Sequence, residues 1–250
     1  MPEGDTLFRA AATLHTWLAG REVTAATVPA TPMVGRTVER VEADGKHLLM
    51  RFDSGHVLHS HMRMTGSWHV YRTGERWRRP TREARVVLTC GDRLAVCFNA
   101  PVVELLAPGG DQIHPALTRL GPDVLDRPLD LGEIRRRARS RPPATPLGEL
   151  LLDQRVVAGI GNIWRAESLF MEGRSPWAPV STLSDDELDA LVSTAGRIMR
   201  ESLGPFTRPP ARWVYGRAGR PCRRCRTLVR AQRQGEQART AYWCPTCQPG

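Results

Sequence analysis

Cys222-Arg223-Arg224-Cys225 and Cys244-Pro245-Thr246-Cys247 frame the last stretch of this chain. Each Cys-x-x-Cys turns two thiolates toward one point, and two such pairs close a tetrahedral Zn²⁺ site with no open position. A closed four-sulfur site is structural, so the ion holds up a small module and does no chemistry itself. Two disulfides or loose thiols are the alternative, and the paired spacing weighs against both. The 18 residues between the pairs carry Arg226, Arg230, Arg233 and Arg239 against a single acid, Glu236. The module reads as a zinc-finger hairpin turned toward a polyanion.

The rest of the composition agrees. The 250 residues carry a formal net charge of +10, with an isoelectric point near 10.3. The excess is uneven: ten arginines lie from Arg208 onward, and a second run, Arg135, Arg136, Arg137, Arg139 and Arg141, lies mid-chain. Such clustering points to nucleic acid more than to a merely basic surface. No signal peptide is read at either end, and no stretch is apolar enough to span a bilayer. Cys90 and Cys97 sit in apolar runs as buried free thiols, and a cytoplasmic monomer is expected. Lys46 is the only lysine among 36 basic side chains. A compact ammonium and a guanidinium are not interchangeable, so Lys46 is marked for a second argument.

Outward from the hairpin, the periodicity defines three parts. Asp5-Thr6 followed by Leu7, Ala11, Leu14 and Leu18 predicts an N-terminal helix with one apolar face. From about 23 to 106 the pattern becomes short runs rich in Val, Leu and Phe. Residues 48–52 and 57–61 around Asp53-Ser54-Gly55 predict one hairpin, and 86–89 and 94–98 around Gly91-Asp92 another. Several such hairpins imply a β-sandwich or barrel. A connection with little regular structure is expected over 101–128. Helices follow at 147–157 and from Asn162 to about Met171, and Ser184-x-x-Glu187 is a capping box opening a third. A Pro-rich breaker over 204–210 precedes the zinc module. The expected boundaries are 1–126, 127–210 and 211–250.

Pro2 can carry chemistry once Met1 is removed. Its secondary α-amino group has an ordinary pKa near 8, so a useful fraction is neutral and nucleophilic. It can attack an aldehyde-like carbon and form an iminium, with Glu3 beside it to move protons. The helix starting just after points its positive end here. Gly159-Ile160-Gly161-Asn162 lacks a dinucleotide site's third glycine and suits a DNA phosphate at a tight turn. His47, His56, His59 and His61 invite a metal reading, but no carboxylate or cysteine completes the set. They are expected to be surface or DNA-facing.

These features form one ordered series. It comprises Met1-Pro2-Glu3-Gly4, Gly45-Lys46-His47-Leu48-Leu49, Ser60-His61-Met62-Arg63-Met64-Thr65-Gly66, Leu150-Leu151-Leu152-Asp153-Gln154, Ala158-Gly159-Ile160-Gly161-Asn162 and Val214-Tyr215-Gly216-Arg217, then the cysteine pairs. The series resembles the formamidopyrimidine-DNA glycosylase/endonuclease VIII family nearly end to end. The resemblance implies an α+β chain: an N-terminal helix with a β-sandwich, a helix-two-turn-helix domain, and a C-terminal zinc-finger β-hairpin holding one structural Zn²⁺. It implies damaged DNA as partner and no membrane. Pro2 would be the nucleophile at C1′, Glu3 the acid/base, and Lys46 the hairpin lysine serving the site, which is its second argument. Met64 would fill the gap left by a flipped base. Asn162 and Arg239 would grip phosphates, and Cys222, Cys225, Cys244 and Cys247 would hold the zinc.

The chain departs from the family in places. Thr6 stands where a glutamate is usual, and the zinc hairpin is longer than usual, its extra residues expected at the tip near 232–237. Ala100-Pro101-Val102-Val103-Glu104 replaces the Arg-Phe-Gly loop of the formamidopyrimidine branch, and 203–212 is short for that branch's purine-capping loop. Both absences favour the endonuclease VIII branch and excision of oxidised pyrimidines, with strand nicking by β,δ-elimination. The competing readings are a zinc-ribbon DNA-binding protein without catalysis and a family member that keeps only the lyase.

Overall fold

The computed structural model describes residues 2–204 and 211–249. The Pro-rich breaker therefore lies, apart from Gly204, outside the described residues, as do 205–210 of the short 203–212 segment. The chain divides into two compact units, Met1–Arg119 and Leu120–Gly250.

The first unit opens with α1 (Gly4–Leu18), whose Leu7, Ala11, Leu14 and Leu18 are all buried. That stripe follows helical spacing, and each buried leucine on it contributes about 2 kcal/mol. Eight antiparallel strands follow: β1 (Ala25–Ala26), β2 (Val38–Asp44), β3 (His47–Phe52), β4 (Val57–His61), β5 (Ser67–Arg72), β6 (Ala84–Cys90), β7 (Arg93–Phe98) and β8 (Val102–Leu106). They form two four-stranded sheets, ordered β2-β3-β4-β8 and β1-β6-β7-β5. Leu48, Met50, Phe52 and Leu58 from one sheet share a core with Val86, Leu88, Ala95 and Cys97 from the other. Both expected hairpins are present, the first turning at Gly55, whose φ of +77° a β-carbon would resist.

One expectation fails here. The segment after Pro101 is not irregular at its start, because β8 pairs with β4 along its length. Every residue of β8 is half-buried, so no two-residue alternation marks it as a strand. Beyond it a short turn of helix, α2 (Gly110–Ile113), is held against the outer face of the sheet by an Arg51–Asp111 ion pair of 2.6 Å. That cover explains why β3 is buried on both faces rather than alternating.

The second unit contains α3 (Leu131–Arg139), α4 (Leu147–Leu150), α5 (Asn162–Met171), α6 (Asp185–Ser202) and a hairpin of β9 (Arg230–Gln234) with β10 (Arg239–Trp243). The Ser184 capping box forms as expected, with both reciprocal bonds present. The helix expected over 147–157 stops after one turn. The Asp153 carboxylate takes the Arg155 N–H at 3.0 Å, and Gln154 bonds the Leu152 carbonyl and the Gly159 N–H. Side chains of this kind offer the backbone a non-helical alternative. The apolar positions are nonetheless buried as helical spacing required, Leu147, Leu151, Val156 and Val157 among them. The C-terminal hairpin packs against α5 through Ala166, Phe170, Val214, Val229 and Cys244.

Candidate active site and nucleic-acid interface

In the first unit, Glu3 caps α1 and its carbonyl accepts the N–H of Thr6 at 2.9 Å and of Leu7 at 3.1 Å. Glu3 is 1% exposed, whereas Pro2 is partly open to solvent. The Glu3 carboxylate thus sits at the positive end of a fifteen-residue helix, with the Pro2 nitrogen, an amine once Met1 is removed, one residue before it. Thr6 is exposed one turn on. Lys46 is half-buried in the two-residue turn joining β2 to β3, where Gly45 has φ +57°. α1 packs along these same two strands, and Val41 N–H of β2 bonds His15 of α1 at 3.2 Å.

Met64 projects from the turn after β4 and is 61% exposed, unlike its neighbour Met62 at 2%. The turn closes through a Gly66 N–H to Met62 carbonyl bond of 2.8 Å. A β-carbon on Gly66 would meet the Met62 Cα and carbonyl oxygen at 2.7 Å and the Ala100 Cα at 3.0 Å, all backbone. Gly66→Ala should therefore cost about 1–3 kcal/mol through overpacking. Urea unfolding checks this, and an unchanged midpoint would mean the turn relaxes freely.

Of the four histidines, His47 and His59 are buried, His61 is half-buried, and His56 stands apart with its Nδ1 3.0 Å from Ser54 Oγ. His47 and His59 are 9% and 1% exposed, and they form a connected array with a carboxylate. His59 Nδ1 lies 2.7 Å from Glu104 and its Nε2 2.7 Å from His47 Nδ1. His114 reaches the same Glu104 oxygen at 3.0 Å. Burial first, then neighbouring histidines, holds His47 down at about 3 and His61 at about 4, so both are neutral at pH 7. With the rings neutral, Glu104 accepts from His59 Nδ1–H, and His59 Nε2 then accepts from His47 Nδ1–H. The carboxylate missing from the local sequence comes from β8, 45 residues on.

In the second unit, Asn162 begins α5 after Gly161, at the positive end of a ten-residue helix. Asn162 Nδ2 donates to the Thr240 carbonyl at 3.0 Å, which sets it next to Arg239 at the start of β10. The turn before it requires glycine. Gly159 has φ +92°, and a β-carbon there would sit 3.1 Å from Asp123. The hairpin tip, 235–238, overlaps the stretch expected to be enlarged, whose first residues, 232–234, belong to β9.

The four cysteines cluster, with Sγ···Sγ of 3.4 Å for Cys225–Cys244 and 4.0 Å for Cys222–Cys247. All four sulfurs lie within 4.8 Å of one another and could hold a metal ion. The spacing is too long for disulfides. It brackets the edge of about 3.8 Å set by a tetrahedron of Zn–S bonds near 2.3 Å. A hydrogen bond with Thr227 draws the Cys225 thiol down to about 6, while burial and then the other thiols push Cys247 up to about 12. A bound cation would favour the thiolate form of all four.

Three supporting residues were not singled out in the sequence. The buried Glu167 carboxylate accepts the backbone N–H groups of Trp213, Val214 and Tyr215 at 2.8–3.1 Å, tying the approach to the cysteine module onto α5. Arg165, 1% exposed, donates to the Thr240 carbonyl at 2.9 Å and reaches Gln234 at 3.3 Å, docking both hairpin strands. Gln248 bonds the Cys244 N–H and the Arg174 carbonyl at 2.9 Å each. Helical spacing could not reveal them, because most of their partners lie 46 to 75 residues away along the chain. The mid-chain arginine run also differs from expectation. Arg136 and Arg137 pair with Glu133, Arg139 with Asp185, Arg135 with Asp189 and Arg141 with Asp153. That run is engaged within the fold, unlike the outward Arg230 and Arg233 of β9.

An amine-and-carboxylate helix start, an exposed methionine turn, a glycine-led helix end beside an arginine, and a four-sulfur hairpin define a class of DNA-processing protein. The chain belongs to the formamidopyrimidine-DNA glycosylase/endonuclease 8 family. The formamidopyrimidine-DNA glycosylase N-terminal domain matches residues 1–101, and that family's H2TH domain matches 120–205. The Streptomyces coelicolor protein named "Probable endonuclease 8 2" is 43% identical over 100% of this chain and 95% of its own length. The "DNA-(apurinic or apyrimidinic site) lyase Nei2" of Mycolicibacterium smegmatis is 38% identical, covering 99% of each chain. Endonuclease 8 of Escherichia coli is 33% identical over 99% of this chain and 100% of its own. Among solved structures, the MutM (Fpg) protein of Thermus thermophilus superposes with a TM-score of 0.82 at 27% identity, covering 99% of this chain and 98% of that one. Lactococcus lactis Fpg, bound to DNA containing an AP site, gives 0.85 over the full length of both chains. At 19% identity it speaks for the fold alone. No helix among the described residues is long and apolar enough to cross a membrane.

Proposed function

We propose that this protein is a bifunctional DNA glycosylase and abasic-site lyase of base excision repair, acting in the cytoplasm on nucleoid DNA. The observation that carries the reading is the start of α1, a buried Glu3 carboxylate beside a proline amine at the helix's positive end. Relatives named as endonuclease 8 and as an abasic-site lyase, similar over their whole length, support it. After Met1 is removed, the Pro2 nitrogen attacks C1′ of a nucleotide taken out of the stack. The C1′–base bond breaks and the base leaves with a proton; the sugar ring then opens at C1′–O4′, O4′ takes a proton, and an iminium joins the opened sugar to Pro2. Loss of a C2′ proton then expels the 3′ phosphate, and a second elimination expels the 5′ phosphate. Glu3 moves protons, and Lys46 supplies a compact cation that an arginine cannot replace. Met64 enters the vacated stack as an apolar wedge. Three modules divide this work: 1–126 for chemistry, 127–210 and 211–250 for holding the strand.

Cys222, Cys225, Cys244 and Cys247 would hold one zinc ion, which fixes the hairpin and takes no part in the reaction. Asn162 and Arg239, set side by side through Thr240, hold backbone phosphates. Arg239→Ala should weaken binding and lower the slope of log K against log salt by roughly 0.9, one counterion's worth. A salt titration by fluorescence anisotropy measures it, and an unchanged slope would take Arg239 off the phosphate.

The substrate class follows from β8. Val102–Leu106 is committed to pairing with β4, so no loop is available there to support an orphaned base behind Met64. Strict reading of the opposite base is not expected, and oxidised pyrimidines should be excised better than 8-oxoguanine paired with cytosine. One oligonucleotide sequence carrying each lesion, in duplex and single strand, tests this. If 8-oxoguanine opposite cytosine is the best substrate, the pyrimidine preference is wrong.

A further inference from the structure

The strand register places a carboxylate directly opposite a buried histidine on the outer face of the first sheet. His59 of β4 pairs with Glu104 of β8, and cross-strand partners put their side chains on one face about 5 Å apart at Cβ. His114, one residue past α2, swings onto the same carboxylate. The Arg51–Asp111 ion pair fixes the segment that carries it. One nitrogen from each ring and one carboxylate oxygen lie within 4.8 Å of one another. The rings pack edge to face at 5.0 Å.

We propose that His59, Glu104 and His114 form a second metal site, separate from the cysteine cluster, that takes a divalent zinc ion. Two imidazoles and a carboxylate are a zinc donor set that leaves one position open to water, whereas magnesium and calcium prefer all-oxygen sites. The dimensions agree. Zn–N and Zn–O bonds near 2.0–2.1 Å set ligand-to-ligand edges of about 3.3 Å. The present nitrogen-to-oxygen distances of 2.7 and 3.0 Å need to open by only a few tenths of an ångström as the ring protons of His59 and His114 move to their other nitrogens and that of His47 moves to Nε2. His47 completes the arrangement, since its Nδ1 lies 2.7 Å from the remaining ring nitrogen of His59 and can accept that N–H. Such a partner orients a ligating ring and raises its affinity. The Glu104 and His114 side chains are 40% and 20% exposed, so the ion has a way in, while His59 lies at the closed end. An ion here would fasten β4, β8 and the segment after α2 together.

The test is metal content of the full-length chain after dialysis against a buffer holding free Zn²⁺ near 1 µM, with no DNA present. Wild type should hold one zinc more per chain than His114→Ala and than Glu104→Gln, both substitutions at partly exposed positions that leave the buried His59 in place. Cobalt substitution gives an independent readout. The wild type should show weak ligand-field bands that each variant loses, while the intense sulfur-to-cobalt bands of the cysteine cluster stay unchanged. His47→Ala should keep the stoichiometry and weaken this site about 10–100-fold. Equal zinc content in wild type and both variants would overturn the proposal and leave the three residues as a hydrogen-bonded cluster only.

Discussion

Protein that retains Met1, or carries an uncleaved tag ahead of Pro2, is expected to lose nicking of abasic DNA by roughly 10⁴-fold or more, the scale on which enzymes lose rate when their nucleophile is removed. The extra residue turns the secondary amine into an amide, whose nitrogen lone pair is delocalised and cannot attack C1′. Binding should change little, because the residues proposed to hold phosphate, Asn162 and Arg239, sit in the second unit. Pro2→Gly restores an amine, but a primary one in a flexible chain, and should recover part of the rate. Gel assays of strand scission, run beside anisotropy on the same abasic duplex, separate chemistry from binding. Full nicking by the extended protein would remove Pro2 from the reaction.

Cys244→Ser is expected to release the metal from the cysteine cluster and unfold the hairpin. Cys244 is fully buried, and its sulfur is 3.4 Å from that of Cys225. The core around it is small, chiefly Ala166, Phe170, Val214 and Val229, and cannot hold a two-stranded ribbon alone. Structural zinc contributes about 10–16 kcal/mol in isolated fingers, far more than that cluster can replace. Arg239 then loses its fixed place beside Asn162. Two lost charge-assisted contacts of about 1.5–3 kcal/mol each would weaken DNA binding on the order of 100-fold or more. The first unit shares none of these groups and should unfold at its usual urea concentration. Metal analysis and a two-probe urea titration check both halves of the claim.

Where function depends on local pattern, the sequence was readable. The α1 stripe, both hairpins of the sandwich, the start of α5 and the Ser184 capping box follow from spacing over fewer than twenty residues. The cysteine pairs did too, because ligand geometry restricts their spacing. The features that escaped are long-range. β8 escaped because as an edge strand it is half-buried throughout. The helix expected over 147–157 escaped because Asp153 and Gln154 turn their side chains onto the backbone. His47 and His59 looked like surface or DNA-facing residues until Glu104 arrived from the neighbouring strand β8 and His114 from the segment after α2. The mid-chain arginines looked available until Asp185 and Asp189 of α6 met them. Which polar groups are buried is decided by tertiary contacts, and a charge count cannot supply those.

The central claim is that the amine of Pro2 becomes covalently joined to DNA. Borohydride reduces an iminium to a stable amine, so incubating the processed protein with abasic duplex and borohydride should leave a cross-linked species. Peptide mapping should place the adduct on the N-terminal peptide at Pro2. A cross-link mapped to Lys46, or none at all while the strand is still cut, would contradict the account.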